Sequence, residues 1–295
     1  MERRTFLAGV AGAAAASSVG LAGCVGDSDG GAPEDWIPGP EVFEVEGYRA
    51  FSTSPSTIAE YRDSLTPSVV EEYESLILDW EVADPGLDDV ARYTSGGTDE
   101  AGYIAVEHGL DEGMLASNLE SDGFAGAGEY EGFDVYEAGG GASARALDGD
   151  RLVAASTPDD GTAIVEGVID AGNGDADSYD EADDAVADVV ETIDTTDNFW
   201  LEGYQRITNT IAARGVFTDS VARGYSILLD DETVEASRVE AFVEDADVEE
   251  SAITTYTEEN PLFDGAQGLG WRVDGRMLVI EWTADPGALS LRQLG

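Results

Sequence analysis

The sequence contains no lysine, one cysteine and one histidine among its 295 residues. Because Cys24 is the only thiol, no intramolecular disulfide can form, and the fold must depend on its apolar core. Lysine-based catalysis is excluded, and a serine triad, a Cys–His dyad or an HExxH zinc site would have to use His108. His108 follows Glu107 at the end of a predicted strand, which favours a partly exposed loop residue.

Motifs for catalysis and for cofactor binding are also missing from the sequence. It contains no G-x-S-x-G elbow, no P-loop and no dinucleotide-binding fingerprint. We therefore predict no catalytic residue and no cofactor, and we favour a protein that is not an enzyme.

The sequence is strongly acidic, with 63 acidic residues against 14 basic ones and a net charge of −49. All the bases are arginine. Such a charge destabilises a compact chain in dilute buffer through self-repulsion, but in molar salt the Debye length falls to about 3 Å and most of the repulsion is screened. The composition predicts a protein that works in brine, and it excludes nucleic acid as a partner because two polyanions repel each other.

The N-terminus has the layout of an export signal. Arg3 and Arg4 precede Phe6 and Leu7, and an apolar stretch then leads to a Leu-Ala-Gly-Cys sequence that ends at Cys24. This predicts a signal peptide over residues 1–23 and a lipid on Cys24. The alternative is an uncut membrane helix, but the apolar stretch falls short of the roughly 20 residues that span a bilayer.

These motifs, the acidic excess and the missing lysine together resemble haloarchaeal lipoproteins of the twin-arginine pathway. The body of the chain resembles surface lipoproteins of uncharacterised function in the same organisms. The resemblance implies passage through the export machinery as a folded protein and a location on the outer face of the cell membrane, held there by the lipid. It implies no catalytic residues.

Residues 24–40 are rich in glycine, proline and acids, which predicts a flexible tether between lipid and fold. We predict an α+β fold after it, with antiparallel sheets and helices on one face. Two packed halves are expected, over residues 41–194 and 195–295. Shared order of elements and two Asp-Gly hairpins suggest that these halves are diverged repeats of βαβββ type.

Local signals place the individual elements. Ser54-Pro55 and Thr66-Pro67 predict helix starts. Further helices are expected over about 111–120, 157–172, 180–193 and 232–244, and strands near 90–94, 103–107, 130–136, 142–147, 152–156, 252–256, 269–273 and 277–283.

The last hairpin, around Asp274-Gly275, predicts a buried face. A two-residue turn sets Trp271 opposite Leu278 and Leu269 opposite Ile280, with Val273 and Trp282 on the same side. This apolar side is expected to be core.

One segment has the spacing of a calcium loop. Five oxygen-bearing side chains fall at loop positions 1, 3, 5, 9 and 12: Asn173, Asp175, Asp177, Glu181 and Asp184. Ser178 stands where such a loop requires glycine, so the alternative is a solvated turn that caps the following helix.

The sequence therefore favours a lipid-anchored, extracytoplasmic surface protein of a halophile that acts as a non-enzymatic binding or assembly module. Two alternatives remain open. One is a carboxylate-based extracellular hydrolase, since a glycosidase needs only two suitably spaced acids. The other is the solute-binding component of an importer, which fits the anchor.

Overall fold

A twelve-stranded antiparallel sheet runs through the protein in the order β11-β12-β10-β9-β8-β1-β2-β3-β7-β6-β5-β4. The computed structural model describes residues 32–77, 83, 85–230 and 233–288. The strands are β1 (Arg49–Thr53), β2 (Val90–Gly97), β3 (Gly102–His108), β4 (Ala125–Tyr130), β5 (Phe133–Ala138), β6 (Ser143–Asp148), β7 (Arg151–Ser156), β8 (Asn198–Gly203), β9 (Ser220–Leu229), β10 (Val234–Phe242), β11 (Gln267–Asp274) and β12 (Met277–Ala284). An α+β fold with a large antiparallel sheet is thus confirmed.

Seven α-helices pack on this sheet within the described residues. They are α1 (Pro55–Glu60), α2 (Pro67–Ile77), α3 (Glu112–Ser121), α4 (Gly161–Asn173), α5 (Tyr179–Ala182), α6 (Asp184–Thr192) and α7 (Glu250–Glu259). Over the same part of the chain, none of the helices combines the length and the apolar character needed to cross a membrane.

The helices cover both faces of the sheet, so the prediction of helices on one face is wrong. Val168 of α4 and Val189 of α6 belong to a core cluster with Val279 of β12. The neighbouring strand residue, Ile280, packs instead in a cluster with Ile253 of α7. Successive strand residues point to opposite faces. We call these two sides the α4 face and the α7 face; α1, α2 and α3 share the α7 face.

The strands of the two predicted halves occupy separate stretches of the sheet. Strands β1 to β7 lie together, β8 to β12 lie together, and the two groups meet where β1 pairs with β8. The described residues all belong to one compact unit. The division at residue 195 stays a prediction, although the junction between β1 and β8 coincides with it.

Two elements of the second half differ from the prediction. The expected helix at 232–244 is strand β10, which pairs with β9 and β12 along its length. The expected strand at 252–256 is α7, in which the buried Ile253 and Tyr256 lie three residues apart on one helical side. Pairing on both edges overrides helix propensity in the first case, and apolar spacing overrides the β-branched Thr254 and Thr255 in the second. The βαβββ order is therefore wrong for this half.

A helix break and a hairpin also escaped prediction. The helix expected over 180–193 is two helices, because Asp183 is extended and its carboxylate accepts hydrogen bonds from the backbone N–H groups of Ala185 and Val186, at 2.8 and 3.1 Å. The strand expected near 130–136 is the β4–β5 hairpin, with Glu131 and Gly132 at positive φ in its turn.

Part of the predicted tether is folded. Residues 33–36 and 40–43 form short 3₁₀ turns, and Trp36, at the end of the first turn, and Ile37, which follows it, are buried. The indole of Trp36 packs against Gly172 of α4, where a side chain would collide with it. The apolar surface that these two residues bury outweighs the flexible composition around them, so the tether prediction is wrong for residues 33–40, and residues 24–31 lie outside the described residues.

The predicted hairpins at Asp148-Gly149 and Asp274-Gly275 are both present, but the turns lie one residue later than expected. Asp274 pairs with Met277, so Gly275, with φ +55°, and Arg276 form the turn. Trp271 then lies opposite Ile280 rather than Leu278.

The core prediction for this hairpin is half right. Leu278, Ile280 and Trp282 are buried, whereas Leu269, Trp271 and Val273 are exposed by about two fifths each. The reason is position in the sheet: β11 is an edge strand, and the cover of the α7 face lies over β12 and its inner neighbours.

Candidate functional site

Four charged residues form a row across the middle of the α7 face. In the strand register Arg49 of β1 lies opposite Glu202 of β8, Glu202 opposite Arg223 of β9, and Arg223 opposite Glu240 of β10. The charges thus alternate in sign over four adjacent strands. Opposite charges directly across a sheet stabilise it by about 0.2–1 kcal/mol per pair. We call these four residues the charged row.

Glu202 is the centre of the exposed part of the charged row. One of its oxygens accepts from Arg49 Nη2 at 3.3 Å, and the other accepts from Arg223 Nε at 2.6 Å. Both guanidinium groups also approach the ring of Trp200, with centroid distances of 5.5 and 5.0 Å. Cation–π contacts and shared ion pairing therefore fix the two arginines relative to each other.

Glu240 forms the buried end of the charged row. Its Oε1 accepts hydrogen bonds from the hydroxyls of Tyr204 and Ser220, and its Oε2 accepts from Arg238 Nη2 at 3.0 Å. The guanidinium of Arg238 lies 4.8 Å from the ring centroid of Tyr256. Burial, with the nearby charge of Glu240, raises the pKa of Tyr204, so this phenol stays protonated and can donate.

The two ends of the row differ strongly in exposure, and the two central residues are intermediate. The side chain of Glu240 is 2% exposed, those of Arg223 and Glu202 are 21% and 17% exposed, and that of Arg49 is 62% exposed. The row therefore begins at a buried carboxylate and ends at solvent with a cation. Electrostatic interactions are weaker at the Arg49 end than at the Glu240 end, because water rather than protein surrounds the charge there.

A groove of about 520 Å³ opens at the exposed end of the charged row. Its lining comes from residues 47–51 around the start of β1, residues 95–99 at the end of β2, and residues 202–204 at the end of β8. Gly97 lies opposite Arg49 and has φ +143°, and a side chain there would collide with the carbonyl of Ala101. The backbone conformation and the close approach of Ala101 therefore require glycine at this position of the groove wall.

The groove lining carries one guanidinium, two carboxylates and several hydroxyls. Among the described lining residues there is neither a histidine nor a cysteine, and the hydroxyls of Ser95 and Thr98 lie with the carboxylate of Asp99 around it. The other lining acid, Glu202, has both oxygens engaged by arginines. What the groove offers a ligand is a guanidinium, hydroxyls, backbone groups and aromatic surface.

His108 takes no part in this site. It is 4% exposed at the end of β3, so the expectation of a partly exposed loop residue is wrong. Its Nδ1 accepts a hydrogen bond from the backbone N–H of Leu110 at 3.3 Å. Burial lowers the pKa of His108, which keeps the ring neutral at pH 7.

The calcium-like segment lies on the other side of the sheet from the groove. The side chain of Glu181 accepts a hydrogen bond from the N–H of Ser178 at 3.1 Å and so caps α5, while Asn173 is the last residue of α4. Asp184 begins α6. Within the described residues no three histidine, cysteine or acidic side chains converge as metal ligands, and this includes Asp175 and Asp177.

The predicted lipid and export residues lie outside the described residues. They are Arg3, Arg4, Phe6, Leu7 and Cys24. Conversely, sequence analysis did not nominate any member of the charged row. Its members come from strands that are distant in the chain, and only a weak signal marks them: arginine and glutamate inside otherwise apolar strands, as in the Val-Ala-Arg-Gly-Tyr stretch around Arg223.

The sequence matches no known protein-family model, and no curated protein resembles it significantly. Solved structures do resemble it in fold. Crystal form I of TP0453 is 7% identical, with a TM-score of 0.51 over 88% of this chain and 95% of that one. Crystal form III of the same protein is 8% identical, with a TM-score of 0.50 over 85% and 95%. At such identities the likeness concerns the fold alone.

Proposed function

We propose that this chain is a lipid-anchored surface protein of a halophile, and that its folded part binds a small polar ligand with an anionic group in the groove, without catalysis. The observation that carries the binding role is Arg49, a mostly exposed guanidinium on the wall of an open groove. Its 3.3 Å contact with Glu202 is longer than the 2.6 Å contact of Arg223. A ligand can therefore engage Arg49 while Glu202 stays paired with Arg223.

Binding at the groove is tested by thermal melts of the protein in molar KCl with small carboxylates, phosphates and neutral sugars. We expect a carboxylate or a phosphate to raise the melting temperature, because a ligand that binds only the folded state stabilises it by mass action. Arg49→Gln should weaken that ligand at least about tenfold, since it removes a charge-assisted contact.

Arg62→Gln is the matched control for this experiment. Arg62 is also exposed and ion-paired, to Glu74 at 2.6 Å, but it lies outside the groove lining. It should bind the ligand like the wild type. If Arg49→Gln and Arg62→Gln change the affinity for the ligand equally, the groove is not the binding site. The same conclusion follows if only neutral sugars raise the melting temperature.

The lipid anchor rests on the Leu-Ala-Gly-Cys sequence and on the solitary position of Cys24. We expect the mature protein to begin at Cys24, to carry a lipid on that thiol and to fractionate with membranes, because two acyl chains hold a protein stably in a bilayer. Cys24→Ser should move it out of the membrane fraction or leave it unprocessed. Intact-mass analysis decides this: a chain that retains Met1, or a free thiol at Cys24, contradicts it.

The brine environment rests on the net charge of −49. We expect the melting temperature to rise steadily from dilute buffer to molar KCl, as the Debye length falls to about 3 Å and carboxylate repulsion is screened. Calorimetry over a KCl series measures it, and sucrose at matched osmolality shows how much of the rise is independent of charge. A melting temperature that is the same at both ends of the series would refute the brine environment.

We also propose that the two groups of strands are diverged copies, in a different frame from the βαβββ units of the sequence prediction. The support is the order of pairing. Strands β1, β2 and β3 are sequential neighbours, as are β8, β9 and β10, and a helix follows each trio. In each group the last strand, β7 or β12, then pairs with the third strand of its trio.

A further inference from the structure

The edge strand β11 carries an uncovered apolar stripe. Leu269, Trp271 and Val273 are 41%, 41% and 40% exposed. Trp271 lies opposite Ile280 and Val273 opposite Leu278, and both partners on β12 are buried. The stripe therefore continues the apolar layer of the α7 face by one strand beyond the helices that cover it. Exposed edges of this kind are templates for pairing with another strand.

The free backbone groups of β11 belong to the residues of the stripe. Asp274 and Met277 flank a two-residue turn, so they exchange hydrogen bonds, and in an antiparallel pair this pattern alternates along the strand. Arg272 and Gly270 consequently bond to β12, while the N–H and C=O groups of Trp271 and Val273 point away from it. The apolar side chains and the unpaired backbone groups thus coincide.

The stripe is symmetric about Trp271. If β11 pairs antiparallel with β11 of a second copy, centred on this residue, Trp271 lies opposite Trp271, and Leu269 lies opposite Val273 on either side. The backbone groups that face outward are then those that face each other. The cross-strand pair of the two Trp271 side chains is of a stabilising, aromatic type. On the opposite face of the sheet, this register sets Arg272 of one copy against Gly270 of the other, so the two arginines do not meet directly.

The electrostatics permit a second copy at this edge. The chain as a whole carries a charge of −49, but the hairpin over residues 267–284 contains Arg272 and Arg276 against Asp274 and Glu281 and is neutral. Arg272 and Glu281 pair with each other across the hairpin. Like-charged proteins repel least where their surfaces are neutral, and salt screens the more distant charges.

We infer that two copies of this chain associate through β11, in a two-fold arrangement that continues the sheet from one copy into the other with Trp271 at the centre. The surface is separated from β8 of the groove by β9, β10 and β12. Association through β11 therefore depends neither on ligand binding in the groove nor on the lipid on Cys24.

The experiment uses the full chain with Cys24→Ser, to remove association through lipid, and measures sedimentation equilibrium in molar KCl over a range of protein concentrations. Wild-type β11 should give a concentration-dependent dimer. Trp271→Asp and Trp271→Arg should each raise the dissociation constant about thirtyfold or more, because each removes a central aromatic contact and sets like charges against each other. A mixture of the two variants should regain dimer, since Asp then faces Arg.

Ile211→Asp is the matched control, because Ile211 is 49% exposed but lies outside the stripe; it should dimerise like the wild type. Val273→Pro removes one outward N–H without removing a bond to β12 and should also weaken the dimer. A monomeric wild type overturns the inference, as does a Trp271→Asp protein that still dimerises. Failure of the Asp and Arg variants to associate when mixed overturns the two-fold register and with it the inference.

Discussion

Glu240→Gln should lower the free energy of unfolding by about 3–5 kcal/mol. This substitution neutralises one partner of a buried ion pair and leaves the charge of Arg238 uncompensated in a site where its own side chain is 11% exposed. The hydroxyls of Tyr204 and Ser220 also lose a charged acceptor. Urea unfolding in molar KCl, with the slope compared between variants, measures the change.

Two further variants show whether burial causes this loss. Glu74→Gln breaks the exposed pair with Arg62 and should cost only about 0–1 kcal/mol. Replacing both buried partners, as Arg238→Met with Glu240→Leu, should be less destabilising than Glu240→Gln alone, because no buried charge is left unpaired. If Glu240→Gln costs no more than Glu74→Gln, the buried end of the charged row does not stabilise the fold as we describe.

Trp282→Ala should cost about 3–5 kcal/mol, the usual range for a large aromatic residue removed from a core. Trp282 is 4% exposed, its ring centroid lies 5.7 Å from that of Tyr225 in a stacked arrangement, and it meets the ring of Phe263 at 4.7 Å. The cavity left by alanine would lie between β12, β9 and the turn after α7. Thermal and urea unfolding give the size of the loss.

Trp271→Ala is the control within the same hairpin. Trp271 is 41% exposed, so its truncation should change the free energy of unfolding by about 0.5 kcal/mol or less, provided that the protein is dilute enough to be monomeric. The two variants remove the same side chain from neighbouring strands. Equal losses would show that the edge position of β11 does not determine the exposure of its apolar residues.

Local patterns in the sequence were sufficient for much of the secondary structure. Pro55 and Pro67 at the first position of α1 and α2, and glycine with positive φ in the hairpins at Gly149 and Gly275, are determined by backbone sterics that act over a few residues. Elements of this kind are predictable because their causes lie next to them in the chain.

Elements decided by distant neighbours were not predictable in the same way. Residues 234–242 form a strand because β9 and β12 pair with both edges, and Trp271 is exposed because none of the described helices packs over the outermost strand. Whether helices cover one face of the sheet or both depends on the face against which α4 and α6 pack. The amphipathic pattern of a helix shows that it packs on a sheet but does not specify the face.

The candidate site shows the same limit more strongly. Arg49 and Glu202 are 153 residues apart, and Glu240 reaches the same row from a third part of the chain. No spacing rule connects residues that meet only through strand register. The charge of the chain predicts a brine environment, but with 63 acids in the sequence it does not single out the two glutamates of the row.

The pairing of β1 with β8 constrains the order of events during synthesis. β1 leaves the ribosome early and finds β2 on one of its edges, but its other edge has no partner until β8, about 150 residues later, has been made. Closing so distant a contact is slow, and an open edge meanwhile invites pairing with other nascent chains. Slowing translation just before residue 198 would prolong this interval, so pauses placed there should reduce the yield of folded protein more than pauses placed after residue 203.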